Sequence, residues 1–537
     1  VMMMHFADWL QDYGTNLDPK AALDFGAFTP KLLGVTIKGN FEIASFPHFG
    51  GYILFAAGAL GPLIVLIDWL SYRRRKEREA AALLTMFLAF FVVQDVSATD
   101  FVSYEAPPEV SSLQILVDNA APGSVLSLPD GVHEGQLTID RPLTLKGTKN
   151  CVLDGAGKGS VLIVQAASVS LQGFTVRNSG YELLFDDAGI LLDESIDTRI
   201  EGVTLRDNNH GIYVRNATRP LIRDCQFEGR RGRVHEENHG NGIHLWYVKD
   251  ALIQDNRLMG HRDGLYLSFA EAAMIENNVA YGQDRFGLHS MYSQRNIIRD
   301  NCFGRNTAGV ALMFSNRMTM ERNQFIHNRG HRTYGLLLRD CSDSDFIHNR
   351  LVDNTIGLFL DGSNRNRFRE NLFAENGWGV IAYSSSEENA FSKNAFVSND
   401  YQMSLDMRRT KNRLSEDGIG NYWSEARPYD LDDDGIGDAP HNPVGLFAFI
   451  SKQYPDLTVF SGSPAVLALE IAQRSLPALQ PSELIDPHPL LKPVPVPEFE
   501  GPALPSAPQR GRGGSLSLAA LSSLVSVCGG LCLWRSR

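Results

Sequence analysis

Along the middle of the chain, apolar and polar positions alternate behind a recurring glycine. Ile243 and Leu245 follow Gly242, Leu265 and Leu267 follow Gly264, and Val310 and Leu312 follow Gly309. The glycines are Gly189, Gly211, Gly242, Gly264, Gly287, Gly309, Gly335, Gly357 and Gly379, spaced 22, 31, 22, 23, 22, 26, 22 and 22 residues apart. The two long intervals hold insertions, one around RRGRVHEENHG and a smaller one around His331. Asparagines keep step: Asn256, Asn278, Asn301, Asn323, Asn349, Asn371 and Asn394, with Asn306, Asn328, Asn354, Asn376 and Asn399 five residues behind the matching members. A period of two inside each row predicts short strands, and a fixed longer period predicts a solenoid. Leucine-rich repeats have a similar period but require an LxxLxL pattern followed by Asn, which is absent.

The pattern therefore predicts an all-β fold, a right-handed parallel β-helix of about 22 residues per coil with short helical caps. Strands of successive coils would stack about 4.8 Å apart. Asn at a corner would turn inward, adopt left-handed geometry and bond its copy in the next coil. Gly would relieve the backbone where a coil bends. Ser111 and Ser112, followed by Leu113, Leu116, Val117 and Ala120, predict a short helix closing the first coil. Less periodic sequence after Leu405 would close the last, with a helix over Pro464–Ser475.

The ends read differently. Arg73, Arg74, Arg75 and Lys76 precede an apolar run from Ala80 to Val93 and then Val96-Ser97-Ala98, which predicts a signal peptide over 73–98. A signal peptide ordinarily opens a chain, so residues 1–72 read as an N-terminal extension, from a start placed too far upstream or from an added anchor. Residues 52–70 in that extension are apolar enough for a transmembrane helix. Behind the signal, 99–410 is assigned to the β-helix and 411–488 to a C-terminal cap and partner-contact segment. Residues 489–514 read as a Pro-rich linker and 515–537 as an apolar tail, a weak candidate anchor. This places the chain in the periplasm, tied to the inner membrane through partners or a terminal apolar segment.

Charge narrows the partners. The chain has 50 basic and 62 acidic residues, and residues 99–488 alone hold 37 and 51, a net −14. Such a body is not built for nucleic acid, and it would repel polyuronates. No enzyme is predicted. A polysaccharide lyase or epimerase, the alternative this fold suggests, would need acidic and basic residues clustered along one groove, and no such cluster recurs from coil to coil. Six cysteines are too few and too dispersed for a disulfide scaffold or a zinc motif, and no Walker motif is present.

Strand alternation puts the second and fourth residues after each glycine on the outer face. These are His244 and Trp246, Tyr266 and Ser268, His289 and Met291, then Ala311 and Met313. Imidazole with thioether suits copper(I), so His289, Met291 and Met313, with His244, form the candidate metal set. The insertion carrying His235 and His239 is a second candidate. His210, His261, His327, His331 and His348 read as turn or hydrogen-bonding residues. Asp430, Asp432, Asp434, Gly435 and Asp438 match the first nine positions of a calcium loop, with His441 where the twelfth-position Glu would stand.

Several long segments carry a resemblance: GNGIHLW (240–246), RDGLYLSFA (262–270), FGLHSMYS (286–293), GVALMFSN (309–316), RTYGLLLRD (332–340), NTIGLFLDGSNRN (354–366) and GNYWSEARPYDLDDDGIGDAPHNPVGLF (420–447). With PLTLKG (142–147) and LDGAGKGSVLIV (153–164), they make the chain similar to the NosD family from about Ser111 to Pro493. The resemblance implies a periplasmic β-helix protein, not an enzyme, that serves maturation of nitrous oxide reductase. It implies as partners an ABC ATPase and a membrane permease subunit, a copper chaperone lipoprotein and the reductase itself, with copper as cargo. It implies contact between 453–488 and the membrane subunit. The resemblance assigns no ligands. A metal-free adaptor between transporter and client is the alternative function.

Overall fold

The structure, a computed structural model, describes residues 34–38, 41–45, 112–181, 186–230, 239–331, 333–460, 463–475 and 481–505. The chain divides into two compact units, Val1–Ala106 and Pro107–Arg537. In the first, an antiparallel hairpin pairs Gly34–Lys38 with Phe41–Ser45. The expected transmembrane segment 52–70, the signal peptide 73–98 and the apolar tail 515–537 lie outside the described residues.

The second unit is a parallel β-solenoid of about 12 turns with about 23 residues per turn. Its strands form three sheets of 13, 12 and 12 strands, each strand paired with its counterparts one coil before and after. The alternation behaves as expected: Ile243, Leu245, Leu265, Leu267, Val310 and Leu312 are fully buried inside the coil. Aromatic rings stack along the core, Phe346 on Phe368 on Phe391 at 4.7 and 4.6 Å, and Phe373 on Phe396 on Trp423 at 4.8 and 4.2 Å. Ser290 is the polar exception at a core position, and its hydroxyl lies 3.2 Å from that of Ser315.

Both asparagine ladders form. The Asn256 amide donates to Asn278 Oδ1 at 3.0 Å, and the same bond links each pair on to Asn371 and Asn394 at 2.9 Å. In the second ladder, Asn328 donates to Asn354 and Asn354 to Asn376. A further ladder, Asn366 to Asn389 to Asn412, was not evident from the spacing.

Two expectations about the corners are corrected. The left-handed residue is the one before the ladder Asn (Asp255, Asn277, Asp300, Arg322, His348, Glu370 and Lys393), while the Asn itself is not in that region. The register glycines serve close approach rather than bending. A Cβ on Gly287 would lie 2.6 Å from the Gly309 carbonyl oxygen and 2.8 Å from the Asn306 amide.

Both ends are closed. The helix Ser112–Asp118 covers the first coil with Leu113 and Val117, whereas Leu116 is exposed. Gln114 caps the open edge of the strand Leu137–Ile139 by bonding both the N–H and the carbonyl of Thr138, at 2.8 and 3.0 Å. At the far end, the helix Leu446–Gln453 follows Val444, which bridges to Met403 of the last strand in its sheet. Gln473, from the observed helix Pro464–Ser475, ties to Leu446 N–H and the Val444 carbonyl. The first asparagine ladder ends on Asp486, whose buried carboxylate accepts from Asn421 N–H at 2.7 Å and from the Trp423 indole at 2.9 Å. Residues 489–505, expected as a free linker, lie against the solenoid. Leu490 pairs with Tyr422, and Arg305 donates to the Pro505 carbonyl at 2.7 Å.

Candidate functional site

The strand register brings the expected outer rows together. His244, Tyr266, His289 and Ala311 align across four coils, and so do Trp246, Ser268, Met291 and Met313. Met291 and Met313 are therefore neighbours on adjacent coils, with His289 two residues before Met291 on the same face. His244 lies two coils from His289, and the Tyr266 ring sits between them, 4.7 Å from one and 4.9 Å from the other. The structure unites His289, Met291 and Met313 and leaves His244 apart.

The face is drier than strand alternation implies. His289 is 4% exposed and His244 8%. Burial pushes both imidazoles below their usual range, well below for His244, where the nearby His210 adds to the effect. For His289 the opposing pull comes from Asp263, whose Oδ2 lies 3.3 Å from Nδ1. Burial would raise the Asp263 carboxyl, but His289 and the two-pronged Arg285 outweigh it and hold it below the usual carboxylate range. A proton on Nδ1, shared with Asp263, leaves the Nε2 lone pair open, and Nε2 makes no hydrogen bond within the protein. Beside it, the Tyr266 hydroxyl donates to Met291 Sδ at 3.4 Å. Neutral imidazole and thioether are thus the donors this face offers, a set that fits copper(I) and not magnesium or calcium.

The cysteines offer nothing comparable. Cys225, Cys302 and Cys341 are buried, and burial pushes their thiols up to about 12, which keeps them protonated. His327 and His348 pair with Asp353 and Glu370 one coil on, as hydrogen-bonding residues. His235 lies outside the described residues.

In the acidic loop, side-chain oxygens of Asp430, Asp432 and Asp434 lie within 4.8 Å of one another. Gly435, at the sixth position, has φ +84°, the turn a calcium loop needs there. Asp438 Oδ2 accepts the Leu431 N–H at 2.7 Å, so one of its oxygens is engaged. His441 is held away by its backbone pair with Asp486.

Two surface features escaped the sequence. Tyr247, Phe269, Tyr292 and Phe314 stack on four consecutive coils, 4.5, 5.3 and 5.0 Å apart. All four are in left-handed geometry, which is costly for bulky side chains, and Tyr247, Tyr292 and Phe314 are exposed. Coils on either side place Asn216 and Asp340 at this corner, the residue types that tolerate it. The other feature is a cavity of about 700 Å³ lined by Asp343, Asp345, Glu388, Arg365, Arg367, Lys411 and Arg413. Acidic and basic residues do cluster across coils there, contrary to expectation. The cluster is self-neutralising, with Arg365 bidentate on Asp343 at 2.7 and 2.9 Å.

Among the described residues, no helix is long and apolar enough to cross a membrane. A family described as periplasmic copper-binding protein (NosD) matches residues 228–427. The chain is 38% identical to the probable ABC transporter binding protein NosD of Pseudomonas aeruginosa, over 68% of this chain and 88% of that protein. It is 34% identical to the protein of the same name from Stutzerimonas stutzeri, over 72% and 90%. Among solved structures, the A-module of the Azotobacter vinelandii mannuronan C-5 epimerase AlgE6 is 15% identical with a TM-score of 0.48, over 59% of this chain and 94% of that one. The His289, Met291 and Met313 face falls within the matched stretch, and by these relatives the chain belongs to the NosD family.

Proposed function

We propose that this protein holds copper(I) on the His289, Met291 and Met313 face and passes it to nitrous oxide reductase, as part of an assembly complex linked to an ABC transporter. The observation that carries this reading is the buried, unpartnered Nε2 of His289 beside two thioethers on adjacent coils. Thioethers do not protonate, so cargo held there leaves by exchange to a better ligand set and not by acidification. The names of the relatives favour a transporter partner, an ABC ATPase with its permease subunit. A copper chaperone lipoprotein would supply the ion. We assign the contact with the membrane subunit to 453–488, where the helix Pro464–Ser475 carries Leu467 at 59% exposure.

The full chain should bind one equivalent of copper(I), and the variant His289→Ala/Met291→Ala/Met313→Ala should lose it in competition with a copper(I) chelator. Binding unchanged in that variant would place the copper elsewhere. No binding by the parent chain would favour the second reading, a metal-free adaptor, for which the exposed Tyr247, Tyr292 and Phe314 edges supply a contact surface.

We further assign the Asp430, Asp432 and Asp434 loop to calcium as a structural ion near the closing segment. Without a twelfth-position carboxylate, its affinity belongs in the weak range of about 0.1–1 mM. At ten times Kd, calcium should add about 1.4 kcal/mol of stability. Thermal unfolding of the parent and of Asp432→Asn/Asp434→Asn checks this. An equal response to calcium in both would remove the ion from this loop.

A further inference from the structure

The second asparagine ladder changes chemistry at its N-terminal end. Asn306 accepts the Gln283 N–H at 2.9 Å and donates to the Ala280 carbonyl at 3.0 Å. Gln283 repeats both bonds, accepting the His261 N–H at 2.8 Å and donating to the Leu258 carbonyl at 2.8 Å. His261 takes the next corner. It is 2% exposed, and its Nε2 has no hydrogen-bond partner within the protein. A stranded buried polar atom costs about 1–3 kcal/mol, and here an Asn would have avoided it.

The same condition gathers around it. His239 Nε2 and Asn209 Oδ1 are also buried without a partner. His239, His261 and Asn209 line one cavity of about 10 Å³, the scale of a single water or ion. Burial pushes the His261 imidazole down to about 3, so it is a neutral donor at neutral pH. On its other side, His239 Nδ1 meets Asp284 Oδ2 at 2.5 Å, which places the proton on Nδ1 and a lone pair on Nε2. Asp284 is itself set against His261, whose carbonyl accepts its N–H at 2.9 Å. The one cation on the lining, Arg230, lies over the Tyr181 ring at 3.9 Å, and the Asp284 carboxylate offsets its charge.

We propose that this cavity is a second metal site, distinct from the copper(I) face. It would take a divalent first-row transition ion, zinc or copper(II), on His239 Nε2, His261 Nε2 and Asn209 Oδ1, with Asp284 as the positioning residue. Imidazole nitrogen and amide oxygen are harder donors than the thioethers of Met291 and Met313, so the two sites select different ions. No residue is shared, and either site can fail without the other.

The test uses the full chain carrying Asp430→Asn/Asp434→Asn, so that the acidic loop takes up no divalent ion. Zinc titration should then show one equivalent, and X-ray absorption at the zinc edge should show two imidazole nitrogens. His239→Ala should abolish that equivalent. Asp284→Asn leaves both ligands in place and should weaken zinc about 10- to 100-fold. The His289→Ala/Met291→Ala/Met313→Ala variant should keep zinc while losing copper(I). No equivalent of either zinc or copper(II), or zinc binding indifferent to both His239→Ala and Asp284→Asn, would overturn the proposal and leave the cavity to a water molecule.

Discussion

Replacing Asn349 with alanine should cost about 3–5 kcal/mol, read as a lower urea midpoint at unchanged slope. Asn349 is 1% exposed. Its Oδ1 accepts both the Asn323 N–H and the Asn323 side-chain amide at 3.0 Å. Its own amide donates to the Met320 carbonyl at 2.8 Å and to Asn371 Oδ1 at 3.1 Å. Truncation strands the Asn323 N–H and the Met320 carbonyl, each worth about 1–3 kcal/mol when buried and unpaired, and a small cavity adds to the loss. The damage stays local, because the Asn323 amide keeps the Ile298 carbonyl and Asn371 keeps the Asn349 N–H. A loss under about 1 kcal/mol would mean that water reaches the corner and that strand pairing alone fixes the register.

Acidification should weaken the metal-free protein by about 4 kcal/mol between pH 7.5 and 5, through His210 and His261 alone. Burial holds the first at about 4 and the second at about 3, whereas both return to 6.5 when the chain unfolds. Below 6.5 the unfolded chain takes up protons that the folded chain refuses. The stability these residues lend is therefore full above 6.5 and is lost as pH falls through the folded values. At pH 5 each has lost about 2 kcal/mol, at about 1.4 kcal/mol per pH unit. His244 and His289 shift the same way and deepen the loss. Urea unfolding at pH 7.5, 6 and 5, with chelator present, measures the slope. His261→Asn, which restores the residue type of its ladder, should flatten it by one proton. Equal stability at pH 7.5 and 5 would show that the imidazoles charge within the folded state.

The coil was legible because Cβ direction is compulsory in a strand: once Gly242, Gly264 and Gly309 set the register, the inward placing of Ile243, Leu265 and Val310 follows. The alignment of His289 with Met291 and Met313 followed from the same rule. The rule gives the side of a sheet and not what lies over that side, so the dryness of His244 and His289 was out of reach. Nor does composition distinguish extended chain in solvent from extended chain against a neighbour. Arg305 reaches Pro505 across 200 residues, and no local pattern announces that contact. His261 looked like an ordinary turn residue because its oddity is relational, visible only beside Gln283 and Asn306.

The Asp486 carboxylate has a consequence for how the molecule is finished. It completes Asn421, which lies 65 residues earlier in the chain. A solenoid delivered from its N-terminus can lay down coils as they arrive, each templated by the one before. The coil ending at Trp423 cannot follow that schedule, because its last partner is among the latest residues to appear. Until then the edge at Tyr422 and Trp423 offers unpaired backbone to any passing strand, and polymerisation competes with completion. Residues 481–490 therefore act as a terminator of growth, and shortening the chain ahead of Asp486 would turn a monomer into a seed.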